Sequence, residues 1–480
     1  MAILPEKDKE LTSAAALPMT DRRYQLAVVG AGSGGREAAL TAANSGLRVV
    51  LIEGDTLGGT CLHRGFYCLK ALRACADAQT QRFSPPVDLR SEVSNGTTKL
   101  PDWLATQQRI SIRLTQAWSN QLGRAGVALE FGQAALVDSA RIDVSPADRE
   151  SFSIEADYIV LATGSRPEYD GHGPDSRIVN SVDLLKQKTL PKHLLIVGGG
   201  YIGCEFATIF RALGSRVTLV EQRKRLLSDW DEAVGDFVAN AMRASGIELI
   251  FGFPFDVARA AAESSGESVM LSDGTQISPD LILVVTGRKP NIEDLGLEKV
   301  GISVNPFVAV NEQMRTSCNR IYAVGDMNGL SLLDSAAISQ ARVAVESILG
   351  KQVRFSARWI PRCIHTDPGA ASIGWNEDEA GRAGLDVIAH SQTFRLVTDD
   401  ERTLTNPSET MLKVIIQSES RQILGVHAVG HQAAEVVNFV SVAIQSGMNL
   451  EELMQVPLVH PSTAEAIREC AKNIGIVLAG

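Results

Sequence analysis

The sequence has no uninterrupted apolar run near the roughly 18 residues that a membrane span needs, which argues against a transmembrane helix. It also lacks an excess of basic residues. Its 46 Lys+Arg against 56 Asp+Glu leave a formal net charge of −10, which argues against a general nucleic-acid or anionic-membrane binder. The start, from Met1 to Glu10, carries acidic residues and no apolar stretch, so it does not read as a secretory signal. Cysteines are few: seven, an odd number, scattered along the chain rather than spaced as a secreted disulfide framework. A reducing cytoplasm is therefore the expected setting. What remains is an ordinary globular composition, 45% hydrophobic and 21% charged, over 480 residues. That length can bury large cores and suggests three or four domains, with residues 1–23 reading as an N-terminal tail.

Two stretches share one pattern. Tyr24-Gln-Leu-Ala-Val-Val-Gly30 reads as a buried parallel strand. Gly30-Ala31-Gly32-Ser33-Gly34-Gly35 then opens an Ala-rich helix, and Arg48-Val-Val-Leu-Ile-Glu53 follows as a second strand. Alone, G-x-G-x-x-G is a weak signal. Strand, glycines, helix, strand and terminal acid within about 30 residues make it a strong dinucleotide fingerprint. The glycines permit a tight turn and close approach of backbone N–H groups to a pyrophosphate at a helix N-terminus, and Glu53 can accept from a ribose hydroxyl. The pattern recurs from Leu194 through Gly198-Gly199-Gly200-Tyr201-Ile202-Gly203 and ends at Glu221. Two fingerprints imply two dinucleotides. Glu221 favours a free 2′-hydroxyl, hence NAD(H), because it would repel a 2′-phosphate; Arg223 and Arg225 close by can soften that preference.

Between and beyond these units the signals are coarser. Residues 71–123 suit long helices, interrupted by a polar stretch at 83–99 with Pro85-Pro86 and Asn95-Gly96, which reads as a surface loop. Residues 127–144 alternate as short strands. Asp157-Tyr-Ile-Val-Leu-Ala-Thr-Gly164 is a strand running into a glycine turn, as is Ile321-Tyr-Ala-Val-Gly325-Asp326. From about Arg358 the chain changes to short alternating strands: 411–417 and 423–430 pair, and 432–447 forms an amphipathic helix. Cys75 and Cys204 fall on helices as small buried hydrophobes.

Taken together these segments resemble the flavoprotein disulfide reductases, which include dihydrolipoamide dehydrogenase, glutathione reductase and mercuric reductase. The resemblance runs from Tyr24 to the C-terminus. It rests on the two fingerprints, on Ala162 to Pro167 (A-T-G-S-x-P), on Thr286 to Asn291, on Ile321 to Asp326, and on His460-Pro461 with Glu465. It implies an α/β fold with two Rossmann-like dinucleotide-binding domains plus a C-terminal α+β dimerisation domain. The boundaries expected are 24–167 and 291–357 for FAD, 168–290 for NAD(P), and 358–480 for dimerisation. FAD would be held by Gly30, Gly32, Gly35, Glu53, Gly59, Thr60, Thr163, Gly164, Gly325 and Asp326. NAD(H), with NADP(H) as the alternative, would be held by Gly198, Gly200, Gly203, Glu221 and Gly287. Lys70 and Glu205 match the family's ion pair beside the flavin N5, and His460, oriented by Glu465, matches its acid–base, reaching the site of a homodimeric partner. Gly369 departs from the family, whose members usually carry glutamate there.

The larger departure lies in Gly58-Gly59-Thr60-Cys61-Leu62-His63-Arg64-Gly65-Phe66-Tyr67-Cys68-Leu69-Lys70. The family pattern is G-G-T-C-x-x-x-x-C-x-P-S-K. Cys61 and Lys70 fit, but Phe66 occupies the position of the second cysteine and Cys68 that of the proline. Phenylalanine forms neither thiolate nor disulfide. Were all seven steps from Cys61 to Cys68 helical, their Cα atoms would lie roughly 10.5 Å apart, beyond the ~7 Å limit for a disulfide, although a loop through Gly65 shortens this. Cys61-Leu62-His63 followed by a non-thiol is similar to the soluble pyridine nucleotide transhydrogenases, which lack the His-Pro present here. The expected function is an FAD-dependent NAD(P)H oxidoreductase passing hydride from NADH to FAD and on to a small-molecule or small-protein acceptor: another pyridine nucleotide, a quinone or a small oxidant. A dihydrolipoamide dehydrogenase using Cys61 with Cys68, and a non-catalytic flavin-binding redox sensor with Cys61 as its single reactive thiol, are the alternatives.

Overall fold

The computed structural model describes residues 22–79, 100–171, 173–255, 268–270, 274–395 and 409–479. The expected tail, up to residue 21, and the expected loop at 83–99 lie outside them. Two compact units emerge. One comprises Met1–Tyr67, Arg109–Arg166 and Lys289–Phe355; the other comprises Cys68–Gln108, Pro167–Arg288 and Ser356–Gly480.

The first unit is built on a seven-stranded sheet. Its centre is parallel: Ala128–Phe131, Val49–Glu53, Arg23–Val29 and Phe152–Leu161 lie side by side, with Val28 opposite both Leu51 and Val160. These central strands are apolar on both faces, as a parallel sheet covered on two sides requires. Phe152–Leu161 starts five residues earlier than its apolar core suggested. Its first half alternates, with Ile154 and Ala156 inward, and pairs antiparallel with Arg141–Ser145. Its second half pairs parallel with Ile321–Ala323. The helix Ser33–Asn44 follows the first strand and packs against Asp334–Ile348 through small residues.

The second unit contains two five-stranded sheets. Glu248–Phe251, Arg216–Glu221, His193–Val197, Leu281–Val284 and Ile178–Val179 form an all-parallel five-stranded sheet in that order, the second Rossmann-like arrangement. Arg362–Ile364, Ala370–Gly374, Ile423–Val429, Glu409–Gln417 and Val387–Arg395 form an antiparallel one. The helices Ala433–Gln445 and Ala466–Ala479 cover the antiparallel sheet around Leu412, Val414, Val426, Val437, Val440 and Ile467. The α/β class with a C-terminal α+β domain is thus present. Among the described residues no helix is long and apolar enough to cross a membrane.

Candidate functional site

In the first unit, Gly30 stands at φ +99°, a left-handed conformation that side chains resist, and a Cβ there would strike the carbonyl of Ala162. A Cβ on Gly35 would strike the carbonyl of Gly30 itself, whereas one on Gly32 would meet nothing within 4 Å. The turn is therefore closed behind and open in front, at the N-cap of the helix Ser33–Asn44. That is the cradle a pyrophosphate needs. Glu53 is buried, and its carboxylate accepts the backbone N–H of Ala31 at 2.6 Å and of Asp55 at 2.8 Å. Those amides leave further acceptor capacity for a ribose hydroxyl. Burial raises the Glu53 pKa, opposed by the Ala31 N–H and by Arg64. Gly59 packs against Gly32, and Thr60 sits in the short helix Gly59–His63. Gly164 (φ +71°) and Gly325 (φ +76°) form the two other turns. Thr163 is tied to Asn291 by a pair of hydrogen bonds, and Ser165 donates to Asp326 at 2.5 Å. The expected FAD residues therefore converge on one sheet edge, and they fit that cofactor.

The second unit repeats the turn. Gly198 stands at φ +116° against the carbonyl of Val285, a Cβ on Gly203 would strike the Gly198 carbonyl, and Gly200 faces open space. Glu221 accepts from Gly199 N at 2.6 Å and from Arg223 N at 2.8 Å. A Cβ on Gly287 would run into Glu168. Arg225 reaches toward Glu232 and Asp378, each at 3.7 Å, while Arg223 donates to Ser228. These residues fit an NAD(P)H dinucleotide.

The redox segment is not one continuous helix. It breaks at Arg64 and Gly65 between Gly59–His63 and Phe66–Gln79. The unbroken-helix spacing of Cys61 and Cys68 therefore does not apply. Cys68 is 2% exposed and packs in the apolar core of the second unit with Leu72 and Cys75; Phe66 is 40% exposed, its ring edge-on to Tyr67 at 5.7 Å. None of the seven cysteines forms a disulfide in this structure. His63 Nε2 lies 2.9 Å from the Leu57 carbonyl, bracing the turn before the helix. Cys204 and Cys75 are buried as expected.

Glu205 is buried on the helix Tyr201–Ala212, and its Oε1 accepts the backbone N–H of His365 at 2.6 Å. Burial pushes its pKa up to about 7 against the pull of that N–H, Arg73 and Lys70. Sequence reasoning missed Arg73, which donates to the His365 carbonyl at 3.3 Å and approaches Asp367 at 3.7 Å. It also missed His365, whose Nε2 lies 3.6 Å from Cys363 Sγ. The available signals were weak: Arg73 is one turn from Lys70 on the same helix face, and His365 follows the strand Arg362–Ile364 two residues after Cys363. Gly369 has room for a Cβ, and nothing in the structure explains its departure from glutamate. Elsewhere in this unit, His460 Nδ1 lies 3.1 Å from Glu465, whose pKa is lowered by the Ser462 N–H and by His460; the histidine ring is exposed.

Comparison with known proteins agrees with this architecture. The pyridine nucleotide-disulphide oxidoreductase family pattern matches residues 24–347, and its dimerisation domain matches 360–471. A dihydrolipoyl dehydrogenase of Pseudomonas aeruginosa is 32% identical over 457 residues, covering 94% of this chain and 97% of that protein. A glutathione reductase of Nostoc is 33% identical over 462 residues, covering 92% and 98%. The crystal structure of LpdA from Mycobacterium tuberculosis aligns with a TM-score of 0.82 at 27% identity, covering 95% and 100%. The chain belongs to the pyridine nucleotide-disulphide oxidoreductase family, whose members typically bind FAD and NAD(P)H, as an FAD-dependent enzyme of the dihydrolipoyl dehydrogenase-like kind.

Proposed function

We propose that this enzyme oxidises NADH and passes the electron pair to its acceptor without a dithiol relay. The observation that carries this reading is the pair Phe66 and Cys68: an aromatic ring stands where relatives place the second thiol, and the nearest following thiol is in an apolar core. When bound, FAD supplies the two-electron acceptor for hydride. The Gly30 turn and Glu53 hold its pyrophosphate and ribose, and Asp326 its ribityl chain. The Gly198 turn and Glu221 hold NADH in preference to NADPH, while Lys70 and Glu205 position the nicotinamide. Cys61 can form a mixed disulfide, and Phe66, at the position of the family's second cysteine, carries no thiol to resolve it. His460, fixed by Glu465, acts as acid–base on the acceptor across a homodimer. The acceptor is another pyridine nucleotide, a quinone or a small oxidant.

Anaerobic titration of the purified enzyme tests this. About one NADH should bleach each FAD, with no long-wavelength thiolate-to-flavin band, and lipoamide turnover should stay at background. Phe66→Cys should restore some disulfide chemistry with Cys61, and Cys68→Ser should change little. Uptake of two further reducing equivalents that Cys68→Ser abolishes would instead establish a Cys61–Cys68 redox pair. An acceptor screen then separates the three acceptor classes.

A further inference from the structure

Glu205 is buried and dependent on its neighbours, and one of them is itself held on two sides. The His365 N–H reaches Glu205 Oε1 at 2.6 Å. The His365 carbonyl accepts from Arg73 at 3.3 Å, and its ring is met by the Cys363 thiol at 3.6 Å. Cys363 and His365 are both half-buried, on alternate positions at the end of the strand Arg362–Ile364. Burial, with Lys70 and Arg73, drives the His365 pKa down to about 4. Near neutral pH its ring is therefore uncharged and can accept from the thiol through Nε2. The Cys363 pKa is raised by burial and by Glu205, which keeps the sulfur a neutral S–H donor.

We propose that Cys363 and His365 are positioning residues: the thiol fixes the imidazole, and the fixed His365 amide holds the Glu205 carboxylate in place. The proposal rests on the reading of Glu205 given above and adds what sets its working state. A carboxylate that loses a backbone N–H donor becomes easier to protonate. The charged and titratable groups facing this arrangement are Lys70 and Arg73 from the helix Phe66–Gln79, Cys204 beside Glu205, Asp367 after His365, and Glu435, which faces Cys363.

The test is the pH dependence of flavin reduction by NADH in the holoenzyme, measured by stopped flow. Cys363→Ala should move the controlling apparent pKa upward. A full unit, from near 7 to near 8, makes reduction at pH 7 about fivefold slower and lets it recover by about pH 9. Cys363→Ser keeps a hydroxyl donor and should return the profile to that of the wild type. His365→Leu, which removes the ring and keeps the amide, should shift it in the same direction as Cys363→Ala and serves if the alanine variant does not fold. Glu205→Gln should flatten the profile. If Glu205→Gln leaves the profile intact, the role of Glu205 is wrong and the proposal falls with it. If Glu205→Gln flattens it while Cys363→Ala and His365→Leu match the wild type, the clamp alone is refuted.

Discussion

The two glycine turns are nearly the same object in different surroundings. In each, the first glycine has positive φ, the third packs on the first carbonyl, and the terminal glutamate accepts the next amide at 2.6 Å. They differ in what comes after the acid. Past Glu53 the chain folds back so that Gly58 N donates to the Ala31 carbonyl and Gly59 lies against Gly32; the acid is buried and a further stretch of chain lies along the turn. Past Glu221 come exposed Arg223 and Lys224, with Leu226 behind Gly199. Enclosure slows exchange, and an open rim with surface charge permits it. The same turn can thus serve a resident FAD in one place and a cycling NAD(P)H in the other.

A matched pair of substitutions strikes hardest at that comparison. Gly35→Ala and Gly203→Ala each drive a methyl into a peptide carbonyl, a backbone displacement worth roughly 1–3 kcal/mol or more. Gly35→Ala should purify without flavin. Gly203→Ala should purify yellow and bleach with dithionite, yet be reduced by NADH at least about a hundredfold more slowly, an effect near 3 kcal/mol. Loss of flavin from both variants would abolish the division of labour.

The second unit, which holds the second turn, also carries a buried ion pair. Asp231 caps the helix Glu232–Ala244 and is nearly fully buried, paired with Lys413 of the antiparallel sheet at 3.0 Å; Lys413 also meets Glu377 at 2.6 Å. Removing one member of a buried pair strands the other charge, at a cost of about 3–5 kcal/mol. Lys413→Ala should therefore lower the melting temperature markedly. If the brace serves the second turn, NADH binding should weaken while flavin content per folded protein is unchanged. A loss of flavin at the same rate would assign the brace to the whole chain.

Charge selectivity is the next step down. Glu221→Gln keeps an acceptor for the Gly199 amide and removes the charge that disfavours a 2′-phosphate. The preference for NADH over NADPH in kcat/KM should fall about tenfold, or about 1.4 kcal/mol. An unchanged ratio would shift the selection to other groups, Arg223 and Lys224 first.

Both turns were legible in the sequence because glycine spacing, flanking apolar strands and a terminal acid are local and each has a steric or electrostatic reason. The antiparallel pair 409–417 and 423–429 was legible for the same kind of reason, since alternation is written along one strand. The break at Arg64–Gly65 was legible only as one of two alternatives, a loop through Gly65 or an unbroken helix; Ser111 Oγ reaches the Leu62 carbonyl there from 49 residues away. Two things were not legible. The early start of Phe152–Leu161 depends on an antiparallel neighbour. The ring of contacts at Glu205 joins positions 73, 205 and 365, and no periodicity links residues so far apart.

The smallest effect concerns Glu53, whose burial sets it apart. Its pKa in the fold lies above the ordinary glutamate value of 4.5, with burial as the first cause. A raised carboxyl pKa means that the folded apoprotein binds this proton more tightly than the unfolded chain does. The associated stability is fully present below the unfolded value and is lost as pH rises through the folded one. Glu53→Gln keeps an oxygen for the Ala31 amide and removes the titration. Between about pH 4 and pH 8, the flavin-free variant should therefore lose less melting temperature than the flavin-free wild type. A wild-type curve no steeper than that of Glu53→Gln would mean that the Ala31 and Asp55 amides offset the burial, and the enclosure of the first turn would then carry no electrostatic cost.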